Sequence, residues 1–318
     1  MARFVIHESD GYSQEALDIY RRLGTIAVGP WEETRLEKEL ADAEVLVIRL
    51  GKINATLLSK APRLRFIASP TTGLDHIDLA ETERRGICVV SLKGCRDITE
   101  KIYATSEHTI ALILALLRRL PAAHAHVVRD GGWERERFIG REISGKTFGI
   151  VGYGRLGSRV AMIAQAMGAR LLATDPILTP DRIPSGITLL PLDQLLPQAD
   201  IVSVHVSLTP ETEDLFDERA FAMMRKDSFF VNTSRGQIVH EEALLHALET
   251  GWLAGAALDV MRGEDANGSH LLSSPLREYA KTHDHLLLTP HIGGATRESM
   301  ALTEIAIAEE VTKQMASL

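Results

Sequence analysis

The sequence has little cysteine, no long apolar run and no excess of positive charge. Its two cysteines, Cys88 and Cys95, are too few in 318 residues for a disulfide framework, which favours a reducing compartment. The longest apolar run, at residues 110–117, is far shorter than the roughly 20 residues that a membrane-spanning helix needs. The amino-terminal segment also lacks the apolar core of a secretory signal. We therefore expect a cytoplasmic protein with no membrane partner.

The net charge and the overall composition exclude further classes of protein. The 35 basic residues against 43 acidic residues give a formal charge of −8, which argues against nucleic acid as a general partner. A local basic pocket for a small anion remains compatible with that charge. With 45% apolar and 25% charged residues, the composition is that of a folded globular protein. At about 150 residues per domain, the length predicts two domains.

Short apolar runs alternate with amphipathic stretches, which is typical of an α/β fold with parallel sheets. In the first hundred residues the predicted strands are 3–7, 45–50, 64–68 and 87–91. Further along they are 147–151, 170–174, 201–206, 228–232, 254–260 and 286–288. The predicted helices include 14–23, 34–41, 79–85, 155–167, 217–224, 241–250 and 296–315. Six parallel strands with helical crossovers in the second part predict a dinucleotide-binding fold.

A single long helix is predicted over residues 99–120, where neither glycine nor proline occurs. Thr99 can cap its first turn, and Glu100 complements the helix dipole. Because residues 110–117 are apolar on every side, this helix is expected to be buried.

The strongest local motif is VGYGRLG, in which Gly152, Gly154 and Gly157 form G-x-G-x-x-G between a strand and a helix. The first glycine allows the tight turn, the second lets a pyrophosphate approach the backbone, and the third lets helix and strand pack closely. Glycines also collect in ordinary strand-to-helix turns, so the motif alone does not decide between the two interpretations.

Asp175 strengthens the dinucleotide interpretation. It follows the next strand, 18 residues after Gly157, near the spacing at which an acid receives the ribose hydroxyls. An acid at this position repels a 2′-phosphate, which favours NAD over NADP. The alternative is a solvated aspartate at a strand end.

Three polar residues follow later strands: Arg235 in NTSRG, Glu264 in MRGE and His291 in TPHIGG. Ligands of doubly wound sheets bind outside the carboxyl ends of the strands, so all three can reach one crevice. A guanidinium pairs with a carboxylate, and a histidine held by a carboxylate can exchange a hydroxyl proton. Together they suit reduction of a carbonyl next to a carboxylate. The alternatives are a surface ion pair, a solvated loop charge and a helix cap.

Six motifs occur in an order that resembles the D-isomer-specific 2-hydroxyacid dehydrogenase family. They are TTGLDHID at 71–78, SEHTIALILALLRR at 106–119, VGYGRLG, NTSRG, ALDV with the following Glu264, and TPHIGGAT. The resemblance covers almost the whole chain. It implies two doubly wound parallel-sheet domains, with an NAD-binding Rossmann domain inserted into a flavodoxin-like substrate domain. The substrate domain is then expected at 1–100 and 290–318, and the NAD-binding domain at 101–289.

The resemblance also assigns roles to individual residues. It implies His291 as the acid–base, Glu264 as its partner and Arg235 as the group that holds the substrate carboxylate. The backbone N–H groups of Thr72 and Gly73 are implied to hold the same carboxylate. The implied cofactor-binding residues are Gly152, Gly154, Gly157, Arg155, Leu156, Asp175, His205, Val206, Thr233, Asp259, Gly293 and Thr109. Among these, Asp259 fits the nicotinamide carboxamide or a structural role better than proton transfer.

The chain departs from the family pattern next to Glu264. Asp265 stands where a proline is usual, and the segment between Glu264 and His291 is several residues longer than usual. The five-residue step from Asp259 keeps the assignment on Glu264.

Arg49 and Lys52 occupy positions that resemble a basic pair of family members acting on phosphoglycerate. With Lys93 and Arg96 they can form a cationic rim for a phosphate or a second carboxylate, although scattered surface bases have the same pattern. His108, His124 and His126 do not have the spacing of metal ligands, so we predict no metal site. Trp133 is expected to be a loop anchor or a contact in the homodimer that is usual for the family.

The expected activity is hydride transfer between NAD(H) and a small anionic D-2-hydroxy acid or 2-oxo acid pair. A 3-phosphoglycerate-like substrate is one alternative, and glyoxylate or hydroxypyruvate is the other. A different class also remains open, because the same scaffold can serve as an NAD-sensing corepressor-like binding protein.

Overall fold

The structure is a computed structural model and describes residues 2–8, 11–179, 183–265 and 268–317. These residues form two compact units. Unit 1 contains the described residues of Met1–Ile102 and Ala295–Leu318, together with Asp265. Unit 2 contains those of Tyr103–Glu264 and Gly268–Gly294. Unit 1 is therefore built from two distant stretches of the chain.

Unit 1 has a sheet of five parallel strands. The strands are β1 (Ala2–Ile6), β2 (Gly24–Val28), β3 (Val45–Val47), β4 (Phe66–Ser69) and β5 (Cys88–Ser91). Their order in the sheet is β2-β1-β3-β4-β5, the order of a flavodoxin-like doubly wound sheet.

Helices cover both faces of this sheet. They are α1 (Gln14–Leu23), α2 (Glu33–Leu40), α3 (Ala55–Ser59), α4 (Leu79–Arg84), α5 (Arg96–Thr99) and, from the carboxyl-terminal stretch, α13 (Arg297–Ala316). One core contains Tyr20 of α1 and Val311 of α13, and the other contains Leu40 and Leu58. The carboxyl-terminal helix is thus part of the core of the amino-terminal sheet.

Unit 2 has a sheet of seven parallel strands. The strands are β6 (Thr147–Val151), β7 (Arg170–Thr174), β8 (Ile187–Leu189), β9 (Ile201–Val204), β10 (Ser228–Asn232), β11 (Leu253–Leu258) and β12 (Leu286–Leu288). The order β12-β11-β10-β9-β6-β7-β8 is that of a dinucleotide-binding sheet with one further strand at the β12 edge. The strand order reverses between β6 and β9, which is where such sheets bind their ligands.

Helices again cover both faces of the sheet in unit 2. They are α6 (Ala104–Leu117), α7 (Leu120–Asp130), α8 (Arg155–Ala166), α9 (Leu192–Leu195), α10 (Glu218–Met223), α11 (Glu241–Glu249) and α12 (Pro275–Ala280). Ile113 of α6 and Val160 of α8 belong to one core, and Phe221 of α10 and Leu244 of α11 belong to the other.

The predicted α/β class with two parallel-sheet domains is confirmed, but two strands were missed. Both are edge strands, β2 in unit 1 and β8 in unit 2. Neither strand contains a fully buried residue. An edge strand that is only half-buried lacks the continuous apolar run by which its neighbours were recognised.

The prediction of one helix over residues 99–120 is wrong. Thr99 ends α5, and its hydroxyl donates to the Cys95 carbonyl at 3.0 Å instead of capping a new helix. The next helix begins at Ala104 and ends at Leu117. Arg119, with φ +51°, then turns the chain so that α6 and α7 meet at 61°. Within residues 110–117 the predicted burial holds at five positions, whereas Leu114 and Ala115 are half-buried and Ala111 is exposed.

Within the described residues, no single helix has the length and apolar character to cross a bilayer. Only α6 and α7 taken together satisfy that criterion, and the chain bends sharply between them.

Candidate active site

The loop between β6 and α8 requires glycine at two of its three motif positions. Gly152 has φ +92°, and a Cβ there would lie 2.8 Å from the His205 carbonyl carbon. A Cβ on Gly157 would lie 2.0 Å from the Gly152 oxygen. At Gly154, by contrast, a Cβ would meet nothing within 4 Å. Only the middle glycine leaves open space, which is where a dinucleotide-binding loop admits the pyrophosphate.

Arg155 and Leu156 are the first two residues of α8, a helix of 12 residues. The first N–H groups of a helix have no carbonyl partner within it, and the helix dipole is positive at this end. The open space beside Gly154 therefore adjoins an end that favours phosphate oxygens. The loop fits the pyrophosphate of a dinucleotide.

Asp175 joins the end of β7 to the glycine loop. Its Oδ2 accepts from the Tyr153 N–H at 2.9 Å, and its Oδ1 accepts from the Ile177 N–H at 2.9 Å. Oδ1 also accepts from the Leu178 N–H at 3.3 Å, so it is Oδ2 that keeps a further lone pair for a ribose hydroxyl. Asp175 thus orders the phosphate loop and also fits the ribose-binding role.

His205 follows β9 directly opposite the glycine loop. Its N–H donates to the Val151 carbonyl at 2.7 Å, and its Nε2 lies 2.9 Å from the Ser203 hydroxyl. Burial lowers the pKa of His205 to about 3, so the ring is neutral. Its buried Nδ1 has no hydrogen-bond partner within the part of the chain that the structure describes. Val206 comes next, half-buried on the same loop.

Thr109 and Thr233 are brought together from α6 and the end of β10, with their hydroxyl oxygens 2.9 Å apart. Thr109 donates its only hydroxyl hydrogen to the Thr105 carbonyl at 2.7 Å. Thr233 is therefore the donor between the two hydroxyls. Both side chains are buried.

His291 and Glu264 form a hydrogen-bonded pair, with Nδ1 of the histidine 2.9 Å from Oε1 of the glutamate. This hydrogen bond raises the pKa of His291 above its ordinary 6.5, and the charges of Glu264 and Asp259 act in the same direction. Burial and the positive charge of Arg235 oppose the increase. The resulting imidazole can hold and release a proton near neutral pH.

The backbone of His291 lies in the left-handed region, with φ +52°. Such a conformation costs a residue with a side chain about 1–3 kcal/mol and persists only where its surroundings hold it. Here the His291 N–H donates to the Asp259 carbonyl at 2.8 Å and to the Thr289 carbonyl at 3.0 Å.

The buried carboxylate of Asp259 holds the two residues after His291. Its Oδ1 accepts from the Ile292 N–H at 2.9 Å, and its Oδ2 accepts from the Gly293 N–H at 2.7 Å. A Cβ on Gly293 would lie 2.9 Å from the same Oδ2, so this approach requires glycine. Asp259 therefore has contacts of a structural kind, one of the two roles expected for it.

Arg235 is half-buried on the loop after β10. The buried Asn232 orders this loop, because its Nδ2 donates to the Arg235 carbonyl at 2.8 Å and its Oδ1 accepts from the Ser234 N–H at 2.9 Å. The guanidinium contacts the Ser234 carbonyl through Nη1 at 2.8 Å. Its charge reaches His291, whose pKa it lowers.

In unit 1, Thr72 and Gly73 lie in the loop after β4. The Thr71 hydroxyl donates to the Gly73 carbonyl at 2.8 Å and lies 2.8 Å from the hydroxyl of the buried Ser69. These contacts order the loop on both sides of Thr72, which is exposed.

The predicted basic rim contains one base that is held by acids. Arg49 Nη1 pairs with the fully buried Glu304 at 2.9 Å, and the guanidinium lies over the Tyr12 ring at 5.3 Å. The Arg49 N–H donates to Glu8 at 2.9 Å. Lys52 is exposed, as are the two further bases of the predicted rim, Lys93 and Arg96.

Three residues that support the site were not predicted as site residues: Asn232, Thr289 and His108. Asn232 and Thr289 are the first residues of the motifs NTSRG and TPHIGG at strand ends, which is the signal that could have identified them. Glu264 is described together with Asp265, whereas Ala266 and Asn267 of the long segment after it lie outside the described residues. Among the described residues, no group of three or more His, Cys, Asp or Glu side chains is arranged to hold a metal ion.

Residues 110–293 match the family model described as D-isomer specific 2-hydroxyacid dehydrogenase, NAD binding domain. This chain belongs to that family, as its ordered motifs predicted. The match covers the glycine loop, Asp175 and the His291–Glu264 pair in a single NAD-binding domain. The prediction of NAD as the cofactor is confirmed.

Similar proteins include a D-3-phosphoglycerate dehydrogenase from Synechocystis, 35% identical over 314 residues, which are 98% of this chain and 54% of that protein. A solved protein from Thermus thermophilus is 32% identical with TM-score 0.83, covering 99% of this chain and 97% of that one. A D-lactate dehydrogenase from Aquifex aeolicus, solved with NAD and lactic acid, is 28% identical with TM-score 0.83, covering 99% and 96%. The chain spans about half the length of the curated relatives it matches.

Proposed function

We propose that this protein is an NAD-dependent dehydrogenase of D-2-hydroxy acids. The observation that carries the proposal is the His291–Glu264 pair, with 2.9 Å between Nδ1 and Oε1, in the same unit as the glycine loop. An imidazole whose pKa is raised by a carboxylate can protonate the oxygen of a 2-oxo acid during reduction. It can accept the hydroxyl proton in the reverse direction.

Each residue of the proposed site has a separate task. Arg235 pairs with the substrate carboxylate and polarises the neighbouring carbonyl. His291 moves the proton through Nε2, while Glu264 holds Nδ1 and stabilises the charged ring. The N–H groups of Thr72 and Gly73 bind the same carboxylate. When bound, NAD(H) supplies or accepts the hydride.

For the substrate, we propose a phosphorylated three-carbon 2-hydroxy acid of the 3-phosphoglycerate type. Curated relatives at 35% and 38% identity are named D-3-phosphoglycerate dehydrogenases, which supports this choice. Arg49 and Lys52 follow β3 in unit 1, although Arg49 is already paired with Glu304. The exposed Lys52 is therefore the stronger candidate for a phosphate contact.

The test is NADH oxidation with a panel of 2-oxo acids: phosphohydroxypyruvate, hydroxypyruvate, glyoxylate and pyruvate. We expect the highest kcat/KM with phosphohydroxypyruvate. A preference for hydroxypyruvate or glyoxylate would reject the phosphorylated substrate but keep the enzyme class. Trace rates on all four would reject the enzyme class and favour an NAD-sensing binding protein.

A His291→Asn variant provides the control for the proposed proton transfer. Loss of a general acid–base lowers kcat by about a hundred- to ten-thousandfold, and NAD affinity should change little because the glycine loop is unaltered. A variant with near-normal turnover on the best substrate would contradict the assigned role.

We also propose that unit 1 is the substrate domain and unit 2 the NAD domain, and that the protein is a cytoplasmic homodimer. The units change over at 102/103 and 294/295, a few residues after the expected 100/101 and 289/290, so His291 stays with the glycine loop. Free cysteines at 88 and 95 support a reducing compartment.

Large apolar side chains are exposed around α7, including Val128 at 66%, Trp133 at 86% and Ile139 at 76%. Exposed apolar residues grouped in this way support an interface with a second copy. Light scattering should give a dimer mass for the wild type and a monomer mass for Trp133→Glu.

A further inference from the structure

His108 of α6 contacts two side chains from distant strand ends. Its Nε2 lies 3.2 Å from Asp259 Oδ1 and 3.2 Å from the Thr289 hydroxyl. The Thr289 hydroxyl donates its hydrogen to Asp259 Oδ1 at 2.6 Å. Because that hydrogen is already used, the hydroxyl can only accept from His108. Nε2 therefore carries a hydrogen and donates to both groups.

The carboxylate that receives this hydrogen bond also holds the loop of His291. Asp259 is 1% exposed, and it accepts the N–H groups of Ile292 and Gly293. Burial alone would raise the pKa of Asp259, but hydrogen bonds from His108, Thr289 and these two N–H groups keep it below its ordinary value. The Asp259 carboxylate is thus kept ionised in a buried position by the hydrogen bonds that it accepts.

The left-handed backbone of His291 makes this support necessary. His291 has φ +52° and directly precedes Ile292 and Gly293. Its own N–H donates to the Asp259 carbonyl at 2.8 Å. If the carboxylate rotates, the loop can relax and the 2.9 Å contact between His291 and Glu264 lengthens.

We propose that His108 is a positioning residue, which acts through Asp259 to keep His291 aligned with Glu264. His108 does not touch the reacting atoms in this role. The inference rests on the proposed dehydrogenase function, since it assigns a residue that supports the acid–base of that reaction. The alternative is that His108 only fills space beside α6.

The two interpretations differ in what they predict for the pH profile. The charged groups that act on His291 are Glu264 and Asp259, which favour its protonated form, and Arg235, which opposes it. A relaxed loop weakens the favourable contacts, so the imidazole loses its proton at lower pH. A residue that only packs would alter stability without moving this titration.

The experiment compares His108→Leu with His108→Gln and with a matched control, His246→Leu. Leucine removes the donor, whereas the glutamine amide can still donate to Asp259. His246 is an exposed histidine on α11 of the same unit. For each variant kcat, the KM values and the pH dependence of 2-oxo acid reduction are measured, with NADH binding and thermal unfolding recorded in parallel.

We expect His108→Leu to lower kcat about tenfold. Its NADH affinity should remain within about twofold of the wild type, because the phosphate loop is unchanged. The high-pH limb of kcat/KM should move about half a pH unit lower. His108→Gln should recover most of the turnover and of the pH profile, and His246→Leu should match the wild type.

A wild-type pH profile in folded His108→Leu would overturn the inference, as would equal losses in the leucine and glutamine variants. If the leucine variant does not fold, Thr289→Val tests the same network, since it removes the hydroxyl that accepts from His108 and donates to Asp259 Oδ1. A shift of the limb to lower pH in that variant supports the proposal, and an unchanged limb rejects it. If the proposed dehydrogenase function is wrong, the result is different, because the wild type would then reduce no 2-oxo acid.

Discussion

At the scale of single residues, the pKa of His291 depends on the charges of Glu264, Asp259 and Arg235. Glu264 donates no proton itself but accepts a hydrogen bond from His291 at 2.9 Å, and that bond is the main cause of the raised histidine pKa. Arg235 and burial act in the opposite direction. The balance raises the pKa of His291 above that of a free histidine.

Glu264→Gln tests this balance directly. The substitution removes the strongest group that raises the pKa of His291, while burial and Arg235 continue to lower it. Reduction needs the protonated ring, so its kcat/KM falls as pH rises through that pKa. We expect this limb to move about one pH unit lower in the variant. The measurement is a pH series of kcat/KM with the best 2-oxo acid.

Glu242→Gln, an exposed residue of α11, is the matched control and should leave the limb in place. Oxidation of the 2-hydroxy acid needs the neutral ring, so its rising limb should move in the same direction as the falling limb of reduction. An unmoved limb in Glu264→Gln would show that another group titrates.

Residue spacing made Arg235, Glu264 and His291 candidates for one site, and the family resemblance assigned their roles, but neither predicted the groups that contact them. The three follow strands of one parallel sheet, so their meeting at one edge is a consequence of the topology. His108 is separated from Asp259 by 151 positions and comes from a helix. Which helical side chain faces that carboxylate depends on packing, which periodicity alone does not specify.

At the scale of elements, the β6–loop–α8 segment separates two uses of glycine. Gly157 permits contact between helix and strand, since a Cβ there would lie 2.0 Å from a carbonyl oxygen. Gly154 keeps space open and has an extended backbone, with φ −80°, that alanine can adopt. The two positions are therefore expected to respond differently to the same substitution.

Gly154→Ala should fold normally, with a free energy of unfolding unchanged or raised by up to about 1 kcal/mol, because alanine restricts the unfolded chain. Its methyl group occupies the space for the pyrophosphate, so NAD affinity should fall about tenfold or more. Gly157→Ala should lose about 1–3 kcal/mol of stability through overpacking. Denaturant unfolding and calorimetric NAD titration of both variants provide the check.

A stable Gly154→Ala variant that binds NAD as well as the wild type would contradict the assigned place of the pyrophosphate. Equal destabilisation of both variants would contradict the distinction between the two glycines.

Element prediction succeeded where strands are central and failed at edges and breaks. The central strands β6, β9 and β10 are buried along their whole length and read as continuous apolar runs. The break after Leu117 falls inside the glycine- and proline-free stretch, because Arg119 itself takes the left-handed conformation. Pro121, in the first turn of α7, was the local signal that a new helix begins there.

At the scale of the whole molecule, unit 1 is completed by a helix that follows unit 2 in the chain. Ile307 and Val311 of α13 are 1% and 0% exposed in the core that also contains Phe4 and Tyr20. Every residue of the glycine loop belongs to unit 2. A destabilising substitution in α13 should therefore affect unit 1 more than unit 2.

Val311→Asp should destabilise unit 1 by about 3–5 kcal/mol, since it buries a charge without a partner. NAD affinity, which depends on unit 2, should stay within about twofold of the wild type, while turnover is lost with the Thr72–Gly73 loop. The measurements are thermal unfolding, NAD titration and 2-oxo acid reduction on the full chain. Lys313→Asp, at an exposed position of the same helix, is the control and should unfold as the wild type does. Equal loss of NAD binding in Val311→Asp would show that the units do not fold separately.

The divided unit 1 also has a consequence for the order in which the protein folds on the ribosome. The five strands between Ala2 and Ser91 emerge first, but α13 follows only after the whole of unit 2. At about 5–20 residues per second, the roughly 200 intervening residues take on the order of 10–40 s to synthesise. During that interval the nascent sheet exposes the apolar face that α13 later covers. We expect the nascent chain to be a substrate for chaperones that bind such surfaces until α13 emerges.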